Sequence, residues 1–157
     1  MNLKDCHNFE DFRKLAKKKL PSPIFHYIDG GSDDEVTLNR NTEAFNDYDL
    51  IPNVLNDVSN VDMSTTVLGE KIDFPLFPSA TAMHRLYHHE GERASARAVE
   101  KMGTIFGTST MGTVSIEEIG QINKGPKSFQ LYIHKDRGLT DNLLERCKKA
   151  GFTSLCL

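Results

Sequence analysis

"FPLFPSATAMHRLYHHEGERASARAVEKMGTIFGTST", residues 74–110, is the stretch on which the fold turns. Its first nine residues form an apolar run of the length of a buried strand. "EGERASARAVEKMG" (90–103) then sets Ala94, Ala98, Val99 and Met102 on one helical face and stops on Gly103. "TIFGTST" (104–110) is a second strand. Strand, helix, strand at this spacing predicts parallel strands joined by a helical crossover.

The alternation continues downstream. "SIEEIG" (115–120) predicts a short helix with a capping box from Ser115 to Glu118. "KSFQLYI" (127–133) is a third strand, "LTDNLLERCKKAG" (139–151) a helix closing on Gly151, and "FTSLCL" (152–157) a fourth strand. The run Phe152, Leu155, Cys156, Leu157 reads as a buried strand cut before its next connection.

Parallel strands with helical crossovers leave an open doubly wound sheet or a closed barrel. The dinucleotide and P-loop fingerprints of the open sheet are absent. The nearest approach, "GTSTMGT" (107–113), has Thr113 where a P-loop places Lys, and its glycines read as turn residues. That tilts the expectation toward an α/β, (β/α)8 TIM barrel. A complete barrel takes about 250 residues, so four βα units are the front half of something longer. Residues 71–157 are assigned to that half-barrel and residues 1–70 to a wrapping segment.

Within 1–70, "FEDFRKLAKKKL" (9–20) places Phe9, Phe12, Leu15, Ala16 and Leu20 at helical spacing, stopped by Pro21 and Pro23. Ser32 and Glu35 predict a capping box for a short helix, with Asp33 and Asp34 in capping roles. "STTVLGEKID" (64–73) predicts a hairpin.

Composition limits the function classes. A net charge of −3 argues against nucleic acid as a partner. "AKKKL" (16–20) reads as a solvated helix end, with contact to an anionic membrane the minor reading. No apolar run approaches the ~20 residues of a membrane helix, and the N-terminus is not a signal peptide. Cys6, Cys147 and Cys156, odd in number and without C-x-x-C spacing, suit reduced thiols in a cytoplasmic compartment. His84 and His88 stand four apart, but no third ligand follows, so no metal is expected, and Glu90 and Glu92 read as acids at a helix start.

Barrel chemistry sits at the C-terminal ends of strands. That rule selects "SATAM" (79–83), "TSTMG" (108–112) and "QLYIHKDR" (130–137). Small residues at 79, 80 and 82 admit a planar ligand to the backbone. Ser109 and Gln130 suit a heteroaromatic edge, and Tyr132 adds a phenol. Gln130 and Tyr132, two apart on a strand, share a face; polar filling of the barrel interior is their bland alternative. For Tyr27 in "IFHYI" it is a core aromatic. None is a general base of ordinary pKa, so these groups bind and orient.

At these positions the chain resembles the FMN-dependent α-hydroxy acid oxidase and dehydrogenase family, the glycolate oxidase and L-lactate dehydrogenase type. The resemblance runs through "KKKLPSPIFHYIDGGSDDEVTLNRNTEAF", "NVDMSTTVLGEKIDFPLFPSATAM", "HHEGERASARA", "GTIFGTSTM", "SIEEI", "FQLYIHKDRG" and "GFTSLCL". It implies an FMN cofactor cradled by the backbone of Ala80, Thr81 and Ala82, with Ser109 and Gln130 bonding the isoalloxazine ring. It implies that Tyr132 reaches the substrate hydroxyl and Tyr27 the substrate carboxylate, as the catalytic residues in this stretch. The implied reaction oxidises a small L-2-hydroxy acid to a 2-oxo acid and passes electrons through FMN to oxygen, a quinone or a cytochrome.

Ala80 and Met111 depart from the Pro and Trp of glycolate oxidases and lean toward L-lactate. The family's catalytic His, its Arg clamps and the Lys at the flavin are expected beyond residue 157. A homo-oligomer and a peripheral membrane contact are further expectations. The competing expectation is an inactive half-barrel or an oligomeric scaffold whose exposed strand edges pair.

Overall fold

The computed structural model describes residues 2–157, which divide into a unit ending at Val58 and a unit from Ser59 to Leu157. The division falls before the hairpin, so the hairpin goes with the strands that follow it.

In the first unit, α1 (Phe9–Lys19) starts where Asn8 accepts a hydrogen bond from the Asp11 amide. Glu10 and Asp11 in its first turn and Lys17, Lys18 and Lys19 in its last match the helix dipole. Of the predicted apolar stripe only Leu15 is buried, and Phe9 is 80% exposed. The prolines end α1 as expected, yet they also open α2 (Ser22–Asp29), which the sequence reading missed. Pro23 sits in the first turn, where no amide partner is needed. A bidentate Arg13–Asp29 pair, at 2.5 and 3.0 Å, joins α2 to α1.

The capping box expected at Ser32 is not formed. Glu35 itself takes the cap position of α3 (Val36–Glu43) in a left-handed conformation (φ 57°). Its carboxylate turns back to accept from the Gly31 amide at 3.0 Å, which removes it from the role of a box partner.

The second unit opens with the predicted hairpin, β1 (Thr65–Val67) against β2 (Glu70–Ile72), antiparallel, with Val67 opposite Glu70. Leu68 (φ 53°) and Gly69 (φ 83°) supply the two positive φ angles that a tight hairpin turn requires. Three parallel strands follow in the order β3 (Phe106–Ser109), β4 (Lys127–Gln130), β5 (Ser154–Cys156). Phe106 pairs with Lys127 and Ser128 with Ser154. Helix α4 (Glu92–Lys101) precedes β3; α5 (Ile116–Ile122) and α6 (Arg137–Lys149) are the crossovers between strands.

Ser115 caps α5 by accepting from the Glu118 amide at 3.2 Å, but the reciprocal half of the predicted box does not form, because the Glu118 carboxylate is bonded to Arg93. Phe106, Ile119, Phe129, Cys147 and Phe152 form the core that this layer of helices closes against the sheet.

Two expectations need correction. Residues 74–82 do not form a regular strand: their one ladder contact is the parallel bridge from Thr81 to Thr108. Pro75 and Pro78 lack the N–H groups a ladder uses, and Leu76 and Phe77 are exposed. The segment nevertheless lies against β3, since a Cβ on Gly107 would come within 3.0 Å of the Ala80 nitrogen. The buried face of α4 is Glu92, Ala96 and Val99 rather than Ala94, Ala98, Val99 and Met102; Ala98 and Met102 are exposed.

Candidate functional site

The C-terminal ends of β3 and β4 and the segment beside them carry the polar groups. Ser109 and Gln130 occupy paired positions on β3 and β4, and the parallel register brings their side chains together. The Ser109 hydroxyl donates to Gln130 Oε1 at 2.8 Å. That leaves the Gln130 amide nitrogen, a two-hydrogen donor, with no partner among the described residues. Ser109 is 6% exposed, so this is an ordered polar pair and not a turn serine in solvent.

The loop after β3 is built tightly onto β4. Thr110 uses its amide (2.9 Å) and its hydroxyl (2.8 Å) to bond the Gln130 carbonyl. The Thr110 hydroxyl also accepts from the Tyr132 amide at 3.0 Å. The Met111 amide donates to Ser109 Oγ at 3.1 Å, and the Met111 carbonyl accepts from the Met83 amide at 3.1 Å.

That last bond joins the loop after β3 to the segment Ala80–Thr81–Ala82, three partly buried small residues alongside β3. Met83 turns this segment back with a left-handed backbone (φ 53°).

β4 ends at Gln130, although the Leu131 amide still bonds the Cys156 carbonyl at 2.9 Å. Phe129 and Leu131 are buried, Gln130 is half-buried and Tyr132 is 55% exposed, so the predicted alternation holds past the strand end. Ala80, Thr81, Ala82, Ser109, Gln130 and Tyr132 thus gather at one end of the sheet. Tyr27 lies on α2 in the other unit, 60% exposed.

Sequence reasoning missed Glu92. Its carboxylate is fully buried and accepts from the Thr113 amide (2.8 Å), the Thr113 hydroxyl (2.6 Å) and the His84 amide (3.3 Å). Burial pushes the carboxyl up, but the Thr113 hydroxyl and the surrounding amides outweigh it and hold it below the ordinary carboxylate value. The signal was in the spacing: 92, 96 and 99 are i, i+4 and i+7 of one stripe.

Chemically, this end of the sheet offers a flat-ring edge two side-chain partners, and a flat-ring face a segment without bulky side chains. Such an arrangement suits binding and orientation of a planar polar ligand.

Comparison with known proteins gives this arrangement a setting. The model of the family described as FMN-dependent dehydrogenase matches residues 16–157. Glycolate oxidase 1 of Oryza sativa subsp. indica is 42% identical over 150 residues, spanning 96% of this chain and 41% of that protein. The L-lactate dehydrogenase of Vibrio parahaemolyticus is 44% identical over 145 residues, 92% of this chain and 38% of that protein. The flavin-binding domain of baker's yeast flavocytochrome b2 superposes with a TM-score of 0.89 at 34% identity, covering 99% of this chain and 41% of that one.

The chain therefore spans about two fifths of the length of the relatives it matches. Its parallel strands and crossover helices are the early units of a (β/α)8 barrel, with Thr81 bridged to β3 on the side where the first strand was expected. On its sequence and on this geometry together, the chain belongs to the FMN-dependent dehydrogenase family.

Proposed function

We propose that this chain supplies the front part of the flavin and substrate site of an enzyme that oxidises an L-2-hydroxy acid to the 2-oxo acid, with L-lactate preferred. The observation that carries the reading is the part-buried Ser109–Gln130 pair at 2.8 Å on adjacent strand ends, with an amide donor left over. A flavin ring edge alternates acceptors and donors, which is what a hydroxyl and a carboxamide side by side complement. The small, close-packed segment Ala80–Ala82 fits a flat ring face, so the residues present fit FMN.

FMN, when bound, would supply the two-electron redox chemistry between the hydroxy acid and an acceptor such as oxygen, a quinone or a cytochrome. This chain's own residues do the placing. Ser109 and Gln130 would hold the ring edge by hydrogen bonds, and the backbone of Ala80, Thr81 and Ala82 would line the ring. The resemblance gives Tyr132 the substrate hydroxyl and Tyr27 the substrate carboxylate as their roles. The preference for L-lactate is supported by Ala80 and Met111, the two departures from the glycolate oxidase pattern, and by the match to an L-lactate dehydrogenase.

The test is the protein from the complete reading frame. It should purify yellow, and anaerobic L-lactate should bleach the flavin band faster than glycolate or L-mandelate. Ser109→Ala and Gln130→Leu should each weaken FMN binding by about tenfold, the worth of one buried hydrogen bond. A protein that neither carries nor takes up FMN would overturn the reading; faster bleaching by glycolate would overturn the lactate preference alone.

A further inference from the structure

We infer that Glu92 is a positioning residue, whose buried carboxylate holds the turn after residues 80–82 and the loop after β3 in one fixed arrangement facing the flavin. The inference rests on the function proposed above for the choice of ligand, and on geometry for the clamp.

The geometry is specific. Glu92 opens α4 and is fully buried. It forms no salt bridge among the described residues, so nothing in ion pairing accounts for a carboxylate there. Its oxygens instead reach two separate loops. One accepts the His84 amide, directly after the left-handed turn at Met83, and the Thr113 amide; the other accepts the Thr113 hydroxyl.

Two further bonds close the arrangement. The Arg85 amide donates to Thr113 Oγ at 3.2 Å, and the Met83 amide donates to the Met111 carbonyl at 3.1 Å. Gly91 makes the approach possible: it has φ 56°, and a Cβ there would fall 2.5 Å from the Arg85 side chain. Two loops of opposite flanks are thus tied to the first residue of one rigid helix. Ala80–Ala82 leads directly into one of them, and Ser109 into the other.

A helix-start acid that only complemented the dipole would sit in solvent and would tolerate neutral substitution. A buried clamp behaves differently. Glu92→Gln keeps the shape and an acceptor for both amides, and its new N–H can donate to Thr113 Oγ. Glu92→Ala leaves both amides and the Thr113 hydroxyl proton without an acceptor. Glu92 touches neither ring nor substrate in this scheme; it acts through the loops.

The experiment compares Glu92→Gln, Glu92→Ala and Val99→Ala in the protein from the complete reading frame. Val99 is buried on the same face of α4 and lines a cavity with Thr81 and His84 but makes no hydrogen bond to either loop, so its variant reports loss of packing there with the clamp's bonds intact. The readouts are the FMN dissociation constant and, in flavin-free protein, hydrogen exchange of the 84, 85, 111 and 113 amides. Glu92→Ala should raise the dissociation constant and speed exchange of those amides by about tenfold or more, from charge-assisted bonds lost. Glu92→Gln should restore both to within about threefold, and Val99→Ala should change neither by more than that.

Equal losses in Glu92→Ala and Val99→Ala would show a merely structural acid and overturn the inference. Unchanged exchange in Glu92→Ala would overturn the clamp itself. A wild-type protein without flavin affinity would overturn the proposed function, while the exchange data would still decide for or against the clamp.

Discussion

The thiol of Cys147 is the most strongly perturbed buried group outside the site. It is 3% exposed in the core with Phe129 and Phe152, and burial pushes its pKa from 9.0 up to about 11, against a smaller opposing pull from Arg146. The folded value lies above the unfolded one, so the protonated thiol stabilises the fold below pH 9, and that stability is lost as pH rises through about 11. Urea unfolding from pH 8 upward should show Cys147→Ala losing less stability with pH than wild type, by up to about 1.4 kcal/mol per pH unit. Lys127 acts in the opposite sense. Desolvation lowers its pKa, with Lys124 adding to the effect, although its ammonium bonds the Asn123 and Gly125 carbonyls at 2.9 and 2.8 Å. The difference between the two proteins therefore isolates the thiol, and parallel curves would sink the argument.

At this scale, legibility followed position. Ser109 and Gln130 could be picked out because polar residues at the ends of apolar strands stand out. Glu92 could not, because an acid at a helix start already has a sufficient explanation in the dipole; only its shared stripe with Ala96 and Val99 gave it away.

Among the elements, helix packing rests on small contacts. Gly120 on α5 lies so close to the end of α6 that a Cβ there would fall 2.6 Å from the Ala150 carbonyl oxygen and 2.9 Å from its Cβ. The two helices are also joined by the bidentate Arg146–Glu117 pair, at 2.6 and 2.9 Å, which limits how far α6 can move away. Gly120→Ala gains up to about 1 kcal/mol of helix propensity but forces an overpacked contact costing about 1–3 kcal/mol. A net loss near 1 kcal/mol in urea unfolding is expected, and a gain would mean that α6 shifts freely.

The elements that sequence pattern recovered were those whose pattern and partners agree. Helices α4, α5 and α6 begin at Gly91, Ser115 and Asp136, and α4 and α6 are followed by Gly103 and Gly151. Where the two disagreed, pattern failed. "FPLFPSATA" has strand hydrophobicity but two prolines that cannot donate to a ladder, and it makes a single bridge. Pro21 and Pro23 read as a stop, but a proline also suits a first helical turn, so α2 begins where only an end was expected.

At the largest scale, the three-stranded sheet within residues 1–157 has an open side. β5 is an edge: its partner is β4 on one side, and Leu155 is 51% exposed while Leu157 is 83% exposed. On the far side of β3, Leu76 and Phe77 are exposed beside a segment that makes one bridge. An exposed apolar edge with unpaired backbone groups is a template for another strand, and a closed barrel is the arrangement that removes such edges. The (β/α)8 reading came from the strand–helix alternation of half the chain, and the edge is what that alternation leaves at a span of about two fifths of the relatives. Residues 1–157 produced alone should therefore self-associate with rising concentration in sedimentation velocity. Leu155→Lys should shift the population toward monomer, because a charge at an edge opposes strand addition. An unchanged profile would show that the association does not run through β5, and would overturn the edge as its cause.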